Sequence, residues 1–421
     1  MSNLPKGWKE TELGQIVEIV NGGTPSTSNE DYWNGDISWI TPKDLSNFEG
    51  RYISKGEKSI TKEGLKNSSA KILPRNTILF SSRAPIGYVA IAKEEVSTNQ
   101  GFKNIICDEV ETHYLYMYYW LHNNAKQIEK LSSGSTFSEA STSLMKSLNI
   151  KIPKIDEQKE IANILSSFDK KIELLKKQNQ TLETMAQTIF KEWFVNFNYP
   201  NATGEMIDSE MGEIPKGWKI SDLKNLSEVI SKGTTPIKSE KEKLLENIYF
   251  LKVKDITDNG NIKYDSLEKI SSEIHTTVLK RSQLKTDDLL YSIAGTIGRV
   301  AILPKQLDNS NCNQALAFIR LKEKNKYLEY VHQWIQTSQI KNKINSSIVQ
   351  GVQANVSLTV LGNLLIIIPD DKTVENWMNV IKPIYKKIKN NSEQIQTLEE
   401  TRDSLLPKLM SGQKRVFEYD N

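Results

Sequence analysis

Residues 161–193 constrain the chain most. There Ile161, Leu165, Phe168, Ile172, Leu175, Asn179, Leu182, Ala186, Ile189 and Trp193 recur in alternating steps of four and three, and no Pro or Gly interrupts them. That spacing is the a/d seam of a coiled-coil helix, roughly 50 Å long at ~1.5 Å per residue. One apolar seam cannot bury itself, and the chain supplies a partner. Trp377, Ile381, Ile384, Ile388, Asn391, Ile395, Leu398, Arg402, Leu405 and Leu409 repeat the pattern, each 216 positions on (377 − 161). Even the local words return, Gln180-Thr181-Leu182-Glu183 as Gln396-Thr397-Leu398-Glu399. Packed antiparallel with centres aligned, the two helices bring Asn179 opposite Asn391, a buried pair that fixes register at some loss of stability. The expected interface is therefore Leu165, Phe168, Ile172, Leu175, Asn179 and Leu182 against Ile384, Ile388, Asn391, Ile395, Leu398 and Leu405. Pro383 and Pro407 fall inside the second stretch, and Pro407 is expected to kink or end that helix.

The repetition extends beyond the helices. Leu4-Pro5-Lys6-Gly7-Trp8 returns as Ile214-Pro215-Lys216-Gly217-Trp218, and Gly23-Thr24-Pro25 as Gly233-Thr234-Thr235-Pro236. Ile78-Leu79-Phe80-Ser81 matches Leu289-Leu290-Tyr291-Ser292, Asn99-Gln100 matches Asn313-Gln314, and Ile150-Lys151-Ile152-Pro153 matches Ile366-Ile367-Ile368-Pro369. One unit of about 200 residues is used twice. Within each, short β-branched and aromatic runs punctuated by Gly, Pro and Asn read as strands. A helix follows (residues 114–131 and 327–344), then a polar loop, a strand and the heptad helix. The expected fold is α+β: two similar globular domains separated by two long antiparallel helices, as a pseudo-two-fold internal repeat. The expected boundaries are 1–155 for the first domain, 156–198 for the central helix and 199–213 for a linker. The second domain then spans 214–372 and the closing helix 373–421.

Composition excludes several classes. Of 421 residues, 38% are hydrophobic and 25% charged, which is globular rather than disordered, and the length calls for more than one core. The net charge of +3 neither demands nor excludes nucleic acid. Two cysteines, Cys107 and Cys312, argue for a reducing compartment, and no 18-residue apolar run or signal-peptide core is present, so no membrane and a cytoplasmic location are expected.

The words that recur also carry a resemblance. Leu4-Pro5-Lys6-Gly7-Trp8 and its copy, the Gly-Thr-Pro loops, Ser81-Ser82-Arg83-Ala84-Pro85-Ile86-Gly87, Asn99-Gln100-Gly101, Glu157-Gln158 before a long helix, and Leu406-Pro407-Lys408-Leu409-Met410-Ser411-Gly412 cover nearly the whole chain in order. In these the chain resembles the DNA-specificity subunits of type I restriction–modification systems. The resemblance implies two target-recognition domains, each reading half of a split, asymmetric target in double-stranded DNA. It also implies helices that set the spacer and dock two methyltransferase subunits, with motor-nuclease subunits joining to complete the restriction enzyme. No cofactor is expected in this chain, and S-adenosylmethionine is expected on the methyltransferase partner.

The residues agree with a non-catalytic role. No Pro-Pro pair exists to build an adenine methyltransferase motif, and no Gly-Lys pair to build a phosphate loop. His113, His122, His275 and His332 have no metal-ligand spacing with either cysteine. Candidate DNA contacts come from loops that carry Lys, Arg, Ser, Thr and Gln, the donors that suit phosphates and base edges. In the first unit they are Thr24, Lys43, Ser82, Arg83, Tyr88, Ser135 and Thr136, and in the second Thr234, Lys254, Arg299, Gln350 and Gln353. The competing readings are an Arg paired with a nearby carboxylate, a Lys held in a local ion pair, and glycines 23 and 233 that shape turns. The alternative function is a protein-binding adaptor whose DNA surface has decayed.

Overall fold

The computed structural model describes residues 4–46, 48, 50–83, 85–132, 139–236, 248–348 and 355–417. The chain forms two compact units, one from residues 1–176 with 391–421 and the other from 177–390. The division falls partway along both long helices, Ile155–Phe194 and Asp371–Met410. Each unit therefore holds part of each helix.

In the first unit the strands Glu18–Asn21, Phe102–Ile106, Ile78–Ser81, Val89–Ala92 and Tyr52–Ile53 form one sheet in that order. Beside it lies a smaller sheet of Lys58–Ile60, Trp33–Ile40 and Ser97–Thr98. A third pairing, Lys9–Glu12 with Asn149–Ile152, is antiparallel. The run Ile78-Leu79-Phe80-Ser81 is buried throughout because it is covered on both faces. Side chains alternate across a strand: Ile78 and Phe80 enter a core shared with the helix Tyr114–Ser132, while Leu79 enters a second core with Val20, Ile40 and Phe102.

The second unit repeats this plan. Ser227–Lys232, Leu316–Leu321, Leu289–Ser292 and Val300–Ile302 form the main sheet, and Glu268–Ile270, Ile248–Leu251 and Asn311–Cys312 the smaller one. Leu289 and Tyr291 face one core and Leu290 the other. The expected single helix over 327–344 is instead two helices, Lys324–Trp334 and Ser338–Ser346. The chain leaves helical geometry at Thr337, whose ψ of 148° makes it the extended N-cap of the second helix.

Inside each unit the long helices run antiparallel. In the first, Lys176 pairs with Glu399 and Asp169 with Arg402, while Ile161 and Leu165 share a core with Leu406 and Leu409. In the second, Phe190 packs edge-on against Trp377, and the Asn179 amide donates to the Ile388 carbonyl at 3.4 Å. Centred alignment predicts position 401 opposite Asp169, one residue from the Arg402 found there. The twelve residues assigned to the helix interface are all buried or half-buried, Asn391 fully so.

Pro407 does not end its helix, which continues to Met410. Both Pro383 and Pro407 lie on the solvent face. The carbonyls they leave unbonded, at the exposed residues Asn379 and Asp403, are within reach of water. Leu406, Leu409 and Met410 meanwhile hold the last turn in the core.

Candidate nucleic-acid interface

Four loops converge where the strands Glu18–Asn21, Phe102–Ile106 and Ile78–Ser81 end side by side, at one end of the first unit's main sheet. Residues 22–25 follow the strand Glu18–Asn21, and the Gly23 amide donates to the Thr98 carbonyl at 2.8 Å. A Cβ at Gly22 would lie 2.0 Å from the Asn99 carbonyl oxygen, so only glycine permits this approach. Residues 82–88 form the second loop. The Ser82 amide donates to Gly101 O at 2.7 Å, which ties in the third loop, residues 99–101, and the Ala140 amide donates to Ser82 O at 3.0 Å, which ties in residues 139–141 of the fourth. The side chain of Thr24 donates to Gln100, and Thr142 donates to Asn21 at 2.9 Å.

A single serine shapes the second loop. Ser81 Oγ donates to Pro85 O at 2.8 Å and accepts from the Tyr88 amide at 2.8 Å, and Gly87 turns the chain at φ = 102°. The second unit builds the same loop. Ser292 Oγ donates to Thr296 O at 2.6 Å and accepts from the Arg299 amide at 2.7 Å, with Gly298 at φ = 94°. Its Ile293 amide donates to Ala315 O at 2.8 Å, and the Val356 amide to Ile293 O at 2.9 Å. Thr235 donates to Gln314 as Thr24 does to Gln100. The structural counterpart of Thr24 is therefore Thr235, one residue beyond the Thr234 that the sequence match suggests. Gly233 correspondingly aligns with Gly22, because a Cβ there would lie 1.9 Å from Cys312 O.

The candidate residues fare differently. Thr24 and Arg83 lie in the cluster, whereas Ser82 is buried with its hydroxyl donated to Gly101 O at 3.1 Å and so serves the loop itself. Arg83 is exposed and pairs with Glu139 at 3.0 Å. Tyr88 is half-buried against the second core, away from the cluster. It lines a cavity of about 290 Å³ with Arg51, His122, Glu173 and Arg402. Lys43 is exposed and pairs with Glu57 at 2.8 Å, not with the adjacent Asp44, which accepts from the Thr41 amide. In the second unit Thr234 accepts from the exposed Arg281 at 2.9 Å. Lys254 is exposed on the turn Val253–Asp255. Arg299 is half-buried, pairing with Asp258 at 2.7 Å and donating to Val253 O at 3.2 Å, so each of the two arginines has a carboxylate beside it. Ser135, Thr136, Gln350 and Gln353 lie outside the described residues.

Sequence reasoning missed Gln100, Lys103, Glu139, Arg281 and Gln314 as members of the clusters. Asn99-Gln100 and Asn313-Gln314 were visible as repeated words, but what Glu139 touches is set by contacts 36 and 56 residues away (139 − 103, 139 − 83). Among the described residues no group of His, Cys, Asp or Glu could hold a metal ion, and no helix is long and apolar enough to cross a membrane.

Two copies of one α+β unit, each with the same loop frame and different side chains, define a protein built on an internal repeat. The model of the type I restriction modification DNA specificity domain matches residues 5–184 and again 215–400. The specificity subunit of the type I restriction enzyme MjaIX from Methanocaldococcus jannaschii is 36% identical over 99% of this chain and 96% of its own length. That of the HindI enzyme from Haemophilus influenzae is 24% identical over 68% of this chain and 73% of its own length. The crystal structure of a type I S subunit from M. genitalium superposes with a TM-score of 0.53 at 15% identity, covering 97% of each chain, and shares the fold. The chain belongs to the family of type I restriction–modification DNA-specificity subunits.

Proposed function

We propose that each unit reads one half of a split target in double-stranded DNA through its four-loop cluster. One observation carries this reading. Both units keep the loop frame while its side chains change: Arg83 becomes Ala294 and Glu139 becomes Asn355. A constant frame with variable donors and acceptors suits two surfaces that address different base sequences. Thr24, Arg83 and Gln100 in the first unit, and Thr235, Arg281 and Gln314 in the second, are the groups best placed to meet a groove. Lys43 and Lys254 on neighbouring turns suit phosphates, with Ser135, Thr136, Gln350 and Gln353 as further contacts.

In this reading the chain performs no chemistry. The long helices set the gap between half-sites and dock two methyltransferase subunits, which carry S-adenosylmethionine and methylate an adenine in each half. Motor-nuclease subunits join them for restriction, in the cytoplasm. The experiment is to map adenine methylation in a host given this chain with and without its methyltransferase partner. A split motif with a fixed gap, seen only with both, is expected, and exchange of residues 14–151 for those of another family member should change one half alone. No motif from soluble, co-purifying proteins would favour the adaptor instead.

A further inference from the structure

The loop clusters differ in charge at one place. In the first unit Glu139 holds two cations, Arg83 Nη2 at 3.0 Å from one oxygen and Lys103 Nζ at 3.2 Å from the other. The residues at these three places in the second unit, Ala294, Ala317 and Asn355, are uncharged. The two cations are not alike. The Lys103 side chain is 8% exposed and sits on the strand Phe102–Ile106, hydrogen-bonded to neighbouring strands on both sides. It cannot leave, and a buried ammonium without a counter-charge is costly. Arg83 is 52% exposed on a loop. Glu139, 29% exposed, is fixed beside that loop by the bond from the Ala140 amide to Ser82 O.

We propose that Arg83 is a transferable DNA contact. On binding it leaves Glu139 for a phosphate or guanine edge in the half-site that the first unit reads, while Lys103 keeps Glu139 neutralised. The inference rests on the reading of the loop cluster as the DNA face. Lys103 and Glu139 are positioning residues that touch no DNA. Their effect is to make Arg83 inexpensive to release, because the carboxylate it leaves behind still has a cation. Without Lys103 the same movement strands a partly buried carboxylate.

A double-mutant cycle on the full chain, assembled with its methyltransferase and bound to a duplex carrying its mapped target, tests this. Arg83→Ala is expected to weaken binding about ten-fold, within the range for one good base or phosphate contact. Lys103→Met, close in shape, should weaken it about five-fold when Arg83 is present and not at all in the Arg83→Ala background. Adding Glu139→Gln to Lys103→Met should restore the original affinity, since no carboxylate then retains Arg83. Lys103→Arg should behave as the unchanged protein. If Lys103→Met weakens binding equally in both backgrounds, the transfer is overturned while Arg83 stands as a DNA contact. If Arg83→Ala changes nothing at either half-site, the reading of this loop as DNA-facing falls and takes the transfer with it. Thermal melts of each variant separate unfolding from both outcomes.

Discussion

The two units attach a domain to the long helices at equivalent places, one with charge and one without. In the first, Asp169 is buried and accepts from Tyr119, while Arg402 meets it at 2.7 Å and Arg51 at 3.7 Å. Arg51 also reaches Glu173 at 2.9 Å, and its own side chain is only 7% exposed. In the second unit the position matching Asp169 is Tyr385, 216 residues on (385 − 169), and Tyr119 is matched by Gln333, 214 on (333 − 119). There the Gln333 amide donates to the Tyr385 hydroxyl at 2.6 Å, and His332 Nδ1 lies 2.9 Å from it. One junction is a buried ion network and the other a neutral hydrogen-bonded set. The same geometry can thus be held by either, but the two fail under different conditions: removing one member of a buried ion set leaves the others uncompensated.

The largest expected effect follows directly. Asp169→Ala leaves Arg51 and Arg402 without their shared anion and should cost the first unit ~3–5 kcal/mol. Tyr385→Phe at the matched place removes one hydroxyl from two neutral partners and should cost the second about 1–3 kcal/mol. Urea denaturation, with hydrogen exchange assigning the loss to a unit, checks both. Equal losses would erase the distinction.

The next contrast is in pH. Burial lowers His332 to about 4 from 6.5, so its contribution is full above pH 6.5 and falls away as the pH drops toward 4. Burial raises Glu183 to about 7 from 4.5, so its contribution is present below pH 4.5 and lost as the pH rises through 7. Glu329, likewise raised by burial, acts in the same sense as Glu183, with Lys382 opposing. Between pH 4.5 and 6.5 the two slopes oppose each other. Glu183→Gln should therefore make the second unit gain stability as pH rises through that window, and His332→Gln should make it lose stability. Urea midpoints across the window, flat in both variants, would remove these groups from the account.

The smallest effect sharpens the first unit's side of the comparison. Lys176 and Glu399 pair at 3.2 Å, with side chains 45% and 38% exposed. Lys176→Ala should cost under ~1 kcal/mol and nothing in high salt, as expected for a pair in solvent. A larger or salt-insensitive loss would extend the buried network outward to this pair.

These contrasts also mark where sequence reasoning stops. The heptad spacing identified both long helices and their antiparallel register to within a few residues, because a seam is a local pattern with one period. The repeated words located the loop frames, because Ser81 and Ser292 do the same work at the same spacing. Arg402 reads in sequence as a flaw in the apolar seam. Its reason is Asp169, 233 residues away (402 − 169), and no periodic signal joins them. Arg299 reads in sequence as a candidate DNA contact with a carboxylate pair as the rival, but which carboxylate is set by the folded chain, where Asp258 and the Val253 carbonyl hold it. The one-residue shift from Thr234 to Thr235 has a similar origin. Two threonines in a row fit the word equally well, and only the pairing with Gln314 chooses between them.

The second unit is one uninterrupted stretch, residues 177–390, whereas the first closes only with residues 391–421. A ribosome therefore finishes the parts of the later unit before those of the earlier one. Until Leu406, Leu409 and Met410 emerge, the core they complete around Trp8, Tyr116 and Leu165 has an open wall. The first domain to be synthesised is thus the last to be finished, and a message cut short by a few tens of codons would yield a sound second unit and an unsealed first.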